Sequence, residues 1–157
     1  MSVTYQQGSL SKIVMIRLHP GTDLIEGITE ACTAYGMKSG VITSCIGSLR
    51  KASFFTVVPL ATKMGAGYGD PIVMEGPLEF VSAQGTIGLD VERNLLIHMH
   101  GSVADGAGHL FGGHLIKGKC PILITCEVMI AFLEGVLAEQ RYDAQTDMKL
   151  LTFVGNN

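Results

Sequence analysis

The sequence predicts an α+β domain with a mainly antiparallel sheet of about seven strands and one main helix, at about residues 22–35. Short apolar runs alternate with breaks rich in glycine, of which the 157-residue chain has 20, and this is the pattern of many strands joined by turns. Only one stretch keeps a convincing helical period. The length suits a single domain over residues 1–157, large enough to bury about 68–70% of the surface that the unfolded chain would expose.

"KIVMIRL" (12–18) is the first strand. After Pro20-Gly21, "TDLIEGITEACTAYG" places Leu24, Ile28, Ala31 and Tyr35 at helical spacing, with Ile25 and Cys32 widening the apolar stripe. Asp23, three residues before Glu26, resembles a capping box, and Gly36 suits the position just past the helix. "GVITSCIGSL" (40–49), "ASFFTVV" (52–58), "IVME" (72–75), "LEFVSAQGTIG" (78–88), "LLIHMHGSV" (95–103) and "ILITCEVMIAFL" (122–133) then read as strands, most of them bounded by Gly, Pro or Asp turns. The segment "KMGAGYGDP" (63–71) reads as a flexible loop. "DAQTDMKLL" (143–151) fits strand or helix equally.

Charged residues make up 16% of the chain and hydrophobic ones 47%, with no Trp, which is less polar surface than a lone domain displays. An oligomer is expected. The net charge of −3 argues against a protein that grips phosphates, since that needs clustered Lys and Arg, and the densest cluster is Arg50-Lys51. Cys32, Cys45, Cys120 and Cys126 are scattered without a CxxC pair, and "MSVTYQQGSL" lacks the pattern of a secretory signal, so a cytoplasmic location is expected. No apolar run reaches the ~18 residues of a bilayer span.

The chemistry concentrates in "LIHMHGSVADGAGHLFGGHL", which holds four of the five histidines. Side chains alternate across a strand, so His98 and His100 share one face while Leu95, Ile97, Met99 and Val103 pack on the core from the other. Asp105-Gly106 favours a turn, and an antiparallel return centred near residue 107 brings His114 opposite His100. Gly112 and Gly113 either bulge that return strand or let another backbone approach it closely. Three neutral imidazoles with a free fourth position suit a divalent transition metal, zinc first and then iron, copper or nickel. The other reading is a polar strand face of half-buried, hydrogen-bonded histidines. His109 at the turn and His19 before Pro20 are expected to face water, although a shifted register would exchange His109 with His114.

Other residues offer less. Glu127 inside "ILITCEVMI" is either the partner of a cation or at a solvated edge. Arg17 and Glu79 share that ambiguity, and an Arg–Glu pair between strands would explain them structurally. All three are candidates for catalytic work. "GAGYG" lacks the Lys-Ser/Thr of a phosphate loop, and Ser44 and Ser48 carry no signature of an activated nucleophile.

"RLHPGTDLIEGITEACTAYGMKSGVITSCIGSL", "EGPLEFVSAQGTI", "LIHMHGSVADGAGHLFGGHLIKG" and "CEVMI", in that order, resemble the plants-and-prokaryotes conserved (PPC) domain. The likeness covers about residues 13–133 and leaves 134–157 as a C-terminal extension. It implies a compact α+β fold that assembles as a homotrimer, and it carries a metal-ligand role onto His98, His100 and His114. In plants the domain follows an AT-hook, the source of the DNA-binding label given to prokaryotic members. An AT-hook reads the minor groove through Arg-Gly-Arg, which occurs nowhere in this sequence. Strong direct DNA binding is therefore not expected. Two functions follow: a trimeric metal-binding module with a regulatory or DNA-associated role, or a small metal-dependent enzyme that takes a small-molecule ligand at an open position, with Glu127 or Glu79 carrying protons.

Overall fold

The structure, a computed structural model, describes residues 3–155. One helix and ten strands succeed one another: β1 (Ser9–Leu18), α1 (Leu24–Ala34), β2 (Gly40–Phe55), β3 (Val57–Pro59), β4 (Ala66–Tyr68), β5 (Ile72–Leu89), β6 (Leu95–Ala104), β7 (Leu110–Leu115), β8 (Ile122–Glu134), β9 (Val136–Asp143) and β10 (Met148–Gly155). The fold is thus α+β and almost wholly antiparallel, with more strands than the seven expected.

The helix starts where its chemistry dictates. The Asp23 carboxylate accepts from the N–H groups of Ile25 and Glu26, both at 3.1 Å, satisfying two of the donors a helix start leaves free. It also accepts from Gly118 at 3.0 Å and Cys120 at 2.8 Å, so one side chain ties α1 to the approach of β8. Gly36, at φ +64, ends the helix in the left-handed region. Leu24, Ile25, Ile28 and Cys32 bury the inner face.

Eight strands form one sheet in the order β1-β8-β2-β7-β6-β5-β9-β10, and an additional β2–β5 pairing closes part of it on itself. β2 makes this possible by length: it pairs with β8 along Gly40–Leu49 and meets β7 at Phe54–Leu115 and Phe55–His114. Core side chains such as Leu49, Phe80, Met99 and Ile130 lie inside this curl with the helix. No helix among the described residues is long and apolar enough to cross a membrane.

Two sequence expectations are corrected, and one open reading is resolved. The breaks inside 40–58 and 72–88 do not divide strands: β2 continues to Phe55, and β5 runs straight through Gly76-Pro77. Leu49 pairs with Leu78 and Lys51 with Glu75, so Gly76 and Pro77 together oppose Arg50. Proline, which lacks an N–H, is tolerated at such a bulge, and the Arg50 N–H turns away to Pro121 O at 2.9 Å. Within the expected loop 63–71, Ala66–Tyr68 pairs with Val57–Pro59 as a small hairpin. Beyond residue 134, β9 and β10 pair along their whole lengths, and residues 143–151 form their turn and the start of β10.

Candidate metal centre

β6 and β7 place the histidines by simple alternation. Ile97, Met99 and Val103 are buried, while His98 and His100 stand on the opposite, exposed face. The Asp105–His109 turn is closed by Asp105 N–H to His109 O at 3.1 Å, and β7 returns with His114 opposite His100. Its register has no bulge. Gly112 and Gly113 serve close approach instead: a Cβ at Gly112 would meet Gly101 O at 2.3 Å, and one at Gly113 would meet Phe55 O at 2.3 Å.

The three rings converge. One nitrogen from each of His98, His100 and His114 lies within 4.8 Å of the others. The Nε2 atoms of His98 and His100 are 3.2 Å apart, and the three ring centroids lie 5.1 to 5.3 Å from one another. Nitrogens held about 2.0–2.1 Å from a tetrahedral zinc stand about 3.3 Å apart, a spacing that the His98–His100 pair already has. His114 Nδ1 is buried without a hydrogen-bond partner, an atom whose isolation calls for an explanation. A donor set of three imidazoles fits a transition metal.

Electrostatics keep two of the rings ready to donate. Burial, followed by the neighbouring charges of His98 and His100, pulls His114 down to about 4, and burial followed by His100 pulls His98 below its ordinary 6.5. Both are neutral at physiological pH with their lone pairs free.

Aromatic support comes from a hairpin distant in sequence. Tyr68 on β4 lies against His114 with centroids 5.0 Å apart and stacks on Phe55 at 5.4 Å. Tyr68 belongs to the "GAGYG" stretch, and no local pattern places it beside a histidine on another hairpin. Thr86 and Gln84 face His98 and His100 across β5, and the Ser82 and Ser102 hydroxyls bond at 3.1 Å farther along.

The remaining candidates lie elsewhere. His109 is exposed at its turn, with Nδ1 3.0 Å from Asp105, and His19 is exposed after β1. Glu79 sits opposite Ala104, four residues along β6 from His100, about 13 Å in an extended strand. Arg17 and Glu127 do oppose each other between β1 and β8, but the Arg17 Nε donates to Thr125 Oγ1 at 3.2 Å. Glu127 also lies beside Ile46, nine residues along β2 from the Phe55 neighbour of His114. None of the three is brought to the histidines.

Fold and site together define a small, strand-rich domain with three imidazoles gathered on one sheet face. The chain belongs to the Plants and Prokaryotes Conserved (PCC) domain family, whose model matches residues 5–134. A bifunctional protein GlmU from Synechococcus sp. (strain JA-2-3B'a(2-13)) is 32% identical over 124 residues, 79% of this chain, which spans only 17% of that relative's length. A metal-containing protein from Archaeoglobus fulgidus matches with TM-score 0.80 at 27% identity, over 97% of this chain and 99% of its own. A plant- and prokaryote-conserved protein from Pyrococcus horikoshii shares the fold with TM-score 0.80 at 23% identity, over 96% and 97% of the two chains. Another structure of the fold, from Ralstonia eutropha JMP134 at 19% identity and TM-score 0.72 over 88% and 89%, is described as a candidate DNA-binding protein.

Proposed function

We propose that this protein is a metal-binding module in which His98, His100 and His114 hold one divalent transition metal per chain, zinc first, and that three chains assemble as a cytoplasmic homotrimer. The observation that carries the metal reading is the gathering of three imidazole nitrogens, one from each histidine, within 4.8 Å of one another. The description of the Archaeoglobus relative as metal-containing supports it. A zinc ion held by these three imidazoles would supply a cationic Lewis-acid centre. The chain's own part is to hold neutral rings in place, His114 through its packing on Tyr68 and the others through strand alternation.

Assembly is supported by the outer face of the sheet. Ile13 and Met15 on β1 and Ile46 on β2 are half or more exposed, and Met129 lies opposite Met15. Exposed apolar side chains gathered on one face favour a contact between chains. A regulatory or accessory role suits a domain that in the Synechococcus GlmU relatives makes up a small part of a longer protein.

The metal-dependent enzyme is the second reading, favoured by a cleft that reaches His98 and His114. Neither of the carboxylates expected to carry protons, Glu79 and Glu127, lies near the rings. Duplex DNA is not the principal ligand in this proposal, since the net charge is −3 and the sequence contains no Arg-Gly-Arg. Elemental analysis of the purified protein tests the metal: about one zinc per chain is expected, and a metal-free protein after growth and purification in zinc-containing medium would defeat the reading. Light scattering tests the trimer, expected at three times 16.7 kDa.

A further inference from the structure

His98 and His114 open onto a cleft of about 810 Å³ whose walls come from two different hairpins. β3–β4 contributes Met64 and Tyr68 to one wall, and β10 contributes Met148, Leu150 and Leu151 to the other. The second wall lies beyond residues 5–134, the part matched by the family model, yet it is firmly seated. Ala138 N–H donates to the buried Ser39 hydroxyl at 3.1 Å, and Leu89 pairs with Glu139. Gly88 admits this approach, because a Cβ there would meet Ala138 O at 2.6 Å.

Among the described residues that line the cleft there is no Asp or Glu, and Lys149 is the one charged residue. A divalent ion on three neutral imidazoles keeps both its positive charges. Apolar walls lower the local dielectric and strengthen the demand for a compensating anion, which the chain does not provide there. The same walls reward an apolar body, at about 0.8 kcal/mol for each methylene buried, and the volume lies within the range of small-molecule sites. Metal and walls thus select one class of ligand.

We propose that this cleft binds an organic monocarboxylate with an apolar body, its carboxylate toward the metal on His98, His100 and His114 and its hydrocarbon part between Tyr68 and Leu150. The proposal rests on the metal reading above and adds the ligand class.

Calorimetric titration of the zinc-loaded protein with sodium octanoate, sodium acetate and octylamine tests it, with zinc content measured on the same samples. Octanoate should bind at least tenfold more tightly than acetate, and octylamine should give no binding heat. Leu150→Asp and Met64→Asp, from opposite walls at positions 41% and 55% exposed, should each keep one zinc per chain and weaken octanoate at least tenfold. Full zinc with equal affinity for octanoate and acetate, with octylamine binding, or with both variants binding octanoate as the parent does, would overturn the ligand class and leave the metal reading standing. A protein without zinc would overturn both, and the zinc measurement tells the cases apart.

Discussion

The histidine triad and a buried cysteine pair both bring metal-capable side chains together, one on an exposed strand face and the other inside the core. On the outer face of β6 and β7, three histidines converge within 4.8 Å. Inside the curl, Cys45 and Cys126 approach with sulfurs 3.3 Å apart, both free and both essentially without solvent contact. Burial acts on the two sites with opposite consequences. It lowers His98 and His114 and so favours the neutral ring, which is the form that donates to a metal. At Cys45, the hydrogen bond with Cys126 and then burial raise the thiol and so disfavour the thiolate, the only form that does. The same desolvation prepares one site and silences the other.

The largest expected effect separates them outright. In a His98→Ala, His100→Ala double variant, zinc should fall from about one per chain to background, whereas Cys45→Ala, Cys126→Ala should keep the full content by elemental analysis. His19→Ala should change nothing. Neither should His109→Ala, since its Nδ1 is engaged with Asp105. Retention of zinc by the histidine double variant would make the three rings a polar strand face.

Acid should release the metal later than ordinary histidines would. Protons compete with zinc only where a ligand would otherwise be protonated, and His98 and His114 both sit below 6.5, His114 at about 4. The sign for folding is the same: between 6.5 and about 4 the unfolded chain binds more protons at His114 than the folded one, so the metal-free protein loses stability as pH falls through that window. A chelator competition across pH should show zinc held near pH 6 and lost on the descent to pH 4. Raising the pH to 9 should add no second metal, because the Cys45 thiol stays protonated. A second equivalent at pH 9 would mean that the buried thiols do bind metal.

How far the sequence alone discloses these sites depends on whether their geometry is local. Strand period places His98 and His100, Asp105-Gly106 turns the chain, and a symmetric return brings in His114, so the whole triad follows from about twenty consecutive residues. The helix is legible for a similar reason, with Asp23 before it and Gly36 after it. The cysteine pair is not, since Cys45 and Cys126 lie 81 residues apart and meet only through the β2–β8 register. Tyr68 escapes notice for the same cause. Strand limits are misread where glycine and proline mark a bulge instead of an end, as at Gly76-Pro77. The β9–β10 hairpin is hidden because its wet and buried residues do not alternate cleanly.

Glycine-to-alanine changes separate the two sites through smaller effects. Gly113 lets β7 pass against Phe55 O, and Gly47 lets β2 pass Cys126, where a Cβ would meet Thr125 O at 2.2 Å and the Cys126 Cα at 2.7 Å. Both contacts are with backbone, which gives little, so Gly113→Ala and Gly47→Ala should each destabilise by about 2–3 kcal/mol in denaturant unfolding. Only Gly113→Ala should also weaken zinc, because only that strand carries a ligand. Gly106→Ala, at a turn with nothing within 4 Å of the added atom, should stay within about 0.5 kcal/mol of the parent.

The smallest effect falls on the thiols themselves. If Cys45 and Cys126 are only small core residues, each is worth its packing and one weak S–H contact. Deleting one sulfur removes about as much material as deleting a methyl group, a change that typically costs about 0.5–1.5 kcal/mol in a packed interior. For a chain of this length that is a fall of about 1–6 °C in Tm. The two sulfurs touch, so the second deletion enlarges a void already opened, and the double variant should depart from the sum of the singles. Thermal unfolding of the metal-loaded and chelator-treated forms reads both quantities at once: the thiol variants should shift the two midpoints equally. A shift confined to the metal-loaded form would mean that zinc depends on the buried pair, and the division between a binding face and an inert core would fail.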